Sequence, residues 1–149
     1  MTITLRPVTS SDKEFCRDVH HSAYRDVVVR QFGRRDEALQ DTLFEKEWDS
    51  LPLQIIELDD EAVGCFAFEL RAEGLCILQI ELLPKFQRRG FGTQLLLRQL
   101  DEARALRLPV LLGVFKESRA RKLYERLGFS VYGETETHYL MRWTDKSAV

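Results

Sequence analysis

The stretch Ile80-Glu81-Leu82-Leu83-Pro84-Lys85-Phe86-Gln87-Arg88-Arg89-Gly90-Phe91-Gly92-Thr93 decides how this chain is read. An apolar strand ends in a polar loop with two glycines, and a helical pattern follows. The first N–H groups of a helix lack an intrahelical partner, and the helix dipole places partial positive charge there. Glycine lets that backbone come close to a ligand, because no Cβ intervenes. Arg88 and Arg89 add charge beside the loop. A pyrophosphate suits such a place. Gly-x-Gly alone is equally a tight strand-to-helix turn. Two phosphate-binding patterns are excluded. The Gly-x-x-x-x-Gly-Lys-Ser/Thr loop is absent. A dinucleotide fingerprint needs a third glycine where Leu95 stands.

The pattern upstream is a meander. Residues 53–58 and 62–70 form a hairpin across Asp59-Asp60, whose short polar side chains favour turns. Gly74 marks the next turn, and residues 75–83 form an apolar strand buried on both faces. Nearer the start, residues 3–8 read as a strand. Ser10 or Ser11 can cap a helix, Glu14 completing a capping box for Ser11, and the helix runs to about residue 25 or somewhat beyond, with Phe15, Val19, Ser22 and Ala23 at helical spacing. Asp36 caps a second helix through Trp48, with Leu39 and Leu43 inward, joined by Phe44 and Trp48.

Downstream, a helix over Phe91–Leu106 carries Leu95, Leu96, Gln99, Leu100 and Ala103 on one stripe. Residues 109–115 form a short buried strand, residues 117–127 a helix stopped by Gly128, and residues 129–133 and 138–143 a closing strand pair. A meander followed by strand–helix alternation predicts an α/β sheet of mixed direction.

At 149 residues, 44% hydrophobic and 31% charged, the chain fits one domain spanning 1–149. These values exclude a disordered chain, a collagen-like one and a disulfide-stapled miniprotein. A net charge of -2 argues against a dedicated nucleic-acid binder. Cys16, Cys65 and Cys76 lack metal-ligand spacing and read as small buried thiols. No metal is expected, because His20-His21 and His138 have no ligand-spaced partners. With no apolar signal core and no membrane-length apolar run, a cytoplasmic location without membrane partners is expected.

Gln87-Arg88-Arg89-Gly90-Phe91-Gly92 matches Gln/Arg-x-x-Gly-x-Gly/Ala, and Ala120-Arg121-Lys122-Leu123-Tyr124-Glu125-Arg126-Leu127-Gly128-Phe129 matches Ala-x-x-Leu-Tyr-Glu-x-x-Gly-Phe. With these motifs in this order, the chain resembles the GNAT superfamily of N-acetyltransferases over nearly its whole length. The resemblance implies an α/β (α+β) single domain: a mixed, mostly antiparallel central sheet with splayed central strands, flanked by helices. It also implies acetyl-CoA as co-substrate, with the main chain near Leu82 and Leu83 pairing the pantetheine. Residues Gln87, Arg88, Arg89, Gly90, Phe91, Gly92 and Thr93 then hold the pyrophosphate. Lys116, Arg119, Arg121 and Lys122 either meet the remaining phosphate or form a solvated face.

By the same resemblance, Tyr124 protonates the leaving thiolate, the alternative being a tyrosine that packs the core. Glu81 is the first general-base candidate, against an equally open structural role, and His138 is a rival base. The acceptor, a small-molecule, amino-acid or peptide amine, would enter near Tyr24, Arg25, Arg30, Arg34 and Arg35, where arginines can hold a carboxylate. They can equally be surface residues balanced by Asp26, Asp36 and Glu37. A homodimer is an option among relatives. Glu117 stands where the family often has Asn, and a glutamate cannot donate as an amide does. That departure keeps open a non-catalytic acyl-CoA sensor on the same fold.

Overall fold

The computed structural model describes residues 2–34 and 36–146. Seven strands form one sheet in the order β1-β2-β3-β4-β5-β7-β6. They are β1 (Ile3–Pro7), β2 (Gln54–Leu58), β3 (Glu61–Arg71), β4 (Gly74–Leu82), β5 (Val110–Phe115), β6 (Ser130–Glu134) and β7 (His138–Trp143). All neighbours are antiparallel except β4 and β5, as the predicted mixed sheet requires. The helices are α1 (Lys13–Phe32), α2 (Glu37–Ser50), α3 (Phe91–Leu106) and α4 (Ala120–Arg126).

The two middle strands splay. β4 and β5 pair only through Leu75↔Val110, Cys76↔Leu111 and Ile77↔Leu112. At the next residue, Leu78, β4 carries a bulge against β3, since Phe68 pairs Ile77 while Ala67 pairs Gln79. A bulge bends a strand and disrupts its ladder. Beyond it, residues 79–82 of β4 pair with β3 alone.

The sheet buries a different core on each face. One holds Phe66, Leu75, Ile77, Leu95, Leu96, Leu100, Tyr124 and Met141, covered by α3 and α4. The other, under α1 and α2, holds Cys16, Val19, Phe44, Ile55 and Cys65. The three cysteines are buried free thiols, with the Cys65 and Cys16 sulfurs 3.1 Å apart.

Four local expectations are corrected. The chain enters α1 through Thr9 and Asp12, not Ser11 and Glu14: the Thr9 amide donates to Asp12 Oδ2 at 2.7 Å. α1 also runs on to Phe32, because Val27 and Val28 continue its buried stripe until Gly33 turns left-handed at φ 75. In α2 the Asp36 cap is present, accepting from the Leu39 amide. Its inner face is Gln40 and Phe44, while Leu39 and Leu43 are exposed. α4 starts later than residue 117, because the amides of Lys116, Glu117 and Ser118 are engaged by Thr137, Gln31 and Phe115.

Candidate active site

The glycine loop leaves β4 through a short 3-10 turn over Pro84–Phe86, anchored by the buried rings of Phe86 and Phe91. Gln87 Nε2 donates to the Leu82 carbonyl at 2.9 Å, which ties the loop back to the strand. Arg88 and Gly90 both take positive φ, 62 and 83. Gly90 is the N-cap of α3, and no side chain caps that helix. The first-turn amides of α3 therefore face outward without an internal acceptor. A Cβ at Gly92 would meet only Leu82 Cδ1 at 3.8 Å, an ordinary contact. The fold itself makes no demand for glycine there. Arg88 and Arg89 are exposed, and the Arg89 guanidinium lies over the rings of Phe86 and Phe91.

Along the splay, the Leu83 amide is bonded to the Val63 carbonyl at 3.0 Å. Antiparallel strands alternate the direction of their backbone groups. Glu81 and Gln79 therefore face β3 with their backbones, and Ile80 and Leu82 present theirs to the gap beside β5. Of the pair Leu82 and Leu83, it is Leu82 that stands at the open edge.

The Glu81 side chain emerges on the α1–α2 face, opposite Cys65 in register. It is fully covered. Gln79 Nε2 donates to one of its oxygens. The other lies 3.5 Å from His20 Nδ1, which is also 3.3 Å from Glu47 Oε2. Gln40 Oε1 sits 3.3 Å from His20 Nε2. Burial pushes the Glu81 carboxyl up to about 7, against the pull of His20. Burial alone would lower His20, but Glu47 and Glu81 outweigh it and raise the imidazole to about 10. Among the described residues, His20, Glu47 and Glu81 are the one His/Cys/Asp/Glu group close enough to share an ion.

Aromatic rings continue the site from α1 across β5 to β7. His20 meets Tyr24 at 5.6 Å, Tyr24 meets Phe115 at 5.8 Å, and Phe115 stacks on His138 at 4.3 Å. His138 thus stands at the far end of a row of rings from Glu81. Burial lowers its pKa, and its Nδ1 lies 2.7 Å from Thr137 Oγ1. Tyr124 is buried against Phe129, and burial pushes its phenol up to about 12. Burial also raises Tyr24, and the Glu81 and Glu47 carboxylates add to the effect.

The other expected residues lie around this centre. Arg25 and Arg34 are exposed, and Arg35 lies outside the described residues. Arg30 donates to the Glu117 carbonyl at 3.0 Å, and Gln31 accepts from the Glu117 amide at 3.1 Å and donates to the Thr137 carbonyl at 2.8 Å. The residue at the unusual position therefore uses its backbone to pin the end of α1. Lys116, Arg119, Arg121 and Lys122 line an open groove of about 440 Å³. Lys116 and Arg121 are paired there with Glu134 and Glu125.

Sequence reasoning missed His20, Gln40, Glu47 and Gln79. A usable signal existed. His20 continues the Cys16–Val19 stripe of α1, and Glu47 lies three residues after Phe44 on α2. A polar residue on an inward stripe needs a partner.

Residues 15–129, which include β4, the glycine loop and the Tyr124 helix, match the acetyltransferase (GNAT) family. The chain belongs to that family. Its fold is similar to the PaiA N-acetyltransferase of Thermoplasma acidophilum, solved with coenzyme A, at TM-score 0.78 and 16% identity, covering 97% of this chain and 100% of that one. It is also similar to the ribosomal-protein-S18-alanine N-acetyltransferase of Escherichia coli, at TM-score 0.65 and 17% identity, over 96% and 94% of the two chains. A curated relative, the aspartate/glutamate leucyltransferase of Brucella abortus (strain S19), is 27% identical across 87% of this chain. The chain spans 62% of that relative's length. Among the described residues, no helix is long and apolar enough to cross a membrane.

Proposed function

We propose that the chain is an acetyl-CoA-dependent N-acetyltransferase acting on a primary amine of a small molecule, amino acid or peptide. The observation that carries this reading is the placement of Glu81. A buried carboxyl, raised to about 7, stands on β4 where the strand has parted from β5. The coenzyme A bound by the Thermoplasma neighbour supports the choice of donor. Leucyl is also an acyl group, so the Brucella relative supports acyl transfer in general.

In this reading the pantetheine pairs with the backbone of Ile80 and Leu82, and the first-turn amides of α3 hold the pyrophosphate. The bound thioester supplies an activated acetyl carbon. Glu81 accepts the proton of the attacking amine, which must be neutral to react. The new C–N bond forms as the C–S bond breaks, and Tyr124 gives its phenolic proton to the departing sulfur. The high pKa of Tyr124 keeps it protonated for that role. The ring row of Tyr24, Phe115 and His138 lines the acceptor's side of the site, and Arg30, with one N–H bonded to the Glu117 carbonyl, keeps other donors for an acceptor carboxylate.

Thiol release from acetyl-CoA across a panel of amines tests this, with Tyr124→Phe and Glu81→Gln beside the wild type. Turnover on one amine class, lowered about a hundredfold in either variant, is expected. Acetyl-CoA binding without release would favour the non-catalytic sensor. Failure to bind would sink the loop assignment.

A further inference from the structure

We propose that His20 and Glu47 form the exit route for the proton that an acceptor amine surrenders at Glu81. The inference rests on the reading of Glu81 as the base and adds how that base is emptied between turnovers.

A base that takes one proton per turnover must lose it before the next. The Glu81 side chain is 0% exposed, so bulk water has no access to it. Glu47, on α2, is 31% exposed as a side chain, with its Oε2 turned inward and buried, so its carboxyl must turn to hand a proton to water. Between them stands His20, itself buried, with Nδ1 at 3.5 Å from Glu81 Oε2 and 3.3 Å from Glu47 Oε2. Despite these distances, none of the three atoms makes a well-aligned hydrogen bond. Nδ1 lies within reach of both oxygens and is bonded to neither. The other ring nitrogen is fixed: Gln40 Oε1 can only accept, so Nε2 keeps its hydrogen. Nδ1 is therefore the nitrogen that exchanges.

The transfer balances without a co-reactant. Glu81 begins protonated, His20 as imidazolium and Glu47 as carboxylate. The Nδ1–H bond breaks toward Glu47 Oε2, and the Glu81 proton moves to Nδ1. Glu81 is again a carboxylate, His20 again an imidazolium, and Glu47 releases its proton to water. The surroundings compete little. Tyr24 holds its proton more tightly than an ordinary phenol. Gln79 holds the second Glu81 oxygen, and Cys65 opposite Glu81 is a thiol raised by its bond to Cys16. His21 meets His20 edge-on but pairs with Glu37 and Asp41. The Phe44 ring packs against His20 as well. His20 touches no reacting atom in this scheme. It is a positioning and relay residue.

The test measures kcat, KM for acetyl-CoA and buffer dependence for the wild type, Glu47→Gln and His20→Ala, the last leaving a hole that free imidazole can fill. Expected is a fall in kcat of about tenfold or more in each variant, with KM changed less than twofold. Rising imidazole concentration should restore part of the lost kcat in His20→Ala, and small buffers part of it in Glu47→Gln. The wild type should respond to neither. Unchanged kcat in both variants, or a loss that no buffer restores, would overturn the relay while leaving the acetyltransferase intact. A wild type that acetylates no amine would overturn both. Should His20→Ala not fold, Glu47→Gln decides alone, since it keeps the size and shape of the side chain.

Discussion

The side-chain amide of Gln87 donates to the main-chain carbonyl of Leu82 at 2.9 Å, so the glycine loop is fastened to the strand edge it follows. A neutral hydrogen bond of this kind contributes about 0.5–1.5 kcal/mol. Gln87→Ala should lower unfolding free energy by about that amount, read from a denaturant midpoint. It should also weaken coenzyme A binding several-fold in calorimetry, because the loop loses its fixed start. An unchanged affinity would detach the loop from the ligand.

Gly90 and Gly92 should separate cleanly. Gly90 has φ 83, and a Cβ there meets nothing within 4 Å. Gly90→Ala therefore costs backbone strain alone, about 1–2 kcal/mol. Gly92 lies inside α3 with ordinary φ, where alanine gains up to about 1 kcal/mol of helix propensity. Gly92→Ala should hold or raise the melting temperature and weaken coenzyme A binding. Gly92→Ala binding coenzyme A like the wild type would show that no ligand uses that space.

The inner face of α2 predicts opposite outcomes for two neighbouring apolar residues. Phe44 is 1% exposed and packs on Trp48 and His20. Phe44→Ala should cost about 3–5 kcal/mol. Leu39 is 51% exposed, and Leu39→Ala should stay within about 0.5 kcal/mol. Chemical denaturation of both variants distinguishes this arrangement from one with Leu39 inward.

Stability should fall at both ends of the pH scale for different reasons. The Arg6 guanidinium, with the Thr9 amide, lowers Asp12 to about 2 although burial opposes it. That stabilisation is complete above the ordinary value of 3.8 and is lost as pH falls toward 2. His20, raised to about 10 by its two carboxylates, stabilises fully below 6.5, and the gain is lost as pH rises through 10. Glu81, raised by burial, favours its neutral form, so its contribution declines from about 4.5 to about 7. Unfolding midpoints across pH should show Asp12→Asn flattening the acid limb and His20→Gln the alkaline limb. Retention of both limbs in the variants would contradict these assignments.

The sequence reading reached some features and missed others for identifiable reasons. α3 and β7 were predicted with the bounds observed, because a clean apolar stripe and a short alternating run leave few choices. Leu39 and Leu43 were placed inward by hydrophobicity alone. Gln40 took the inner place because its amide serves the buried His20. The capping pair shifted by two residues because Asp12 also answers Arg6. The loop and Tyr124 were visible as local motifs. The His20–Glu47–Glu81 trio was not, because its members are far apart in sequence and meet only when two helices cross the sheet.

The extra residue at Leu78 changes which way the rest of its strand looks. Side chains alternate along a strand, so Leu75 and Ile77 share the α3 side with each other. An uninterrupted count would send residues 79 and 81 to that same oily side. The bulge shifts the count by one, so Ile80 and Leu82 inherit the α3 side and Glu81 turns to meet His20. Deleting residue 78 would close the bulge and leave Glu81 on its present side, whereas pairing Leu78 regularly would drive Glu81 into a hydrocarbon layer. The irregularity that opens the sheet is thus also what makes its centre wettable by chemistry. The same strand is a plain structural plank before Leu78 and a working surface after it.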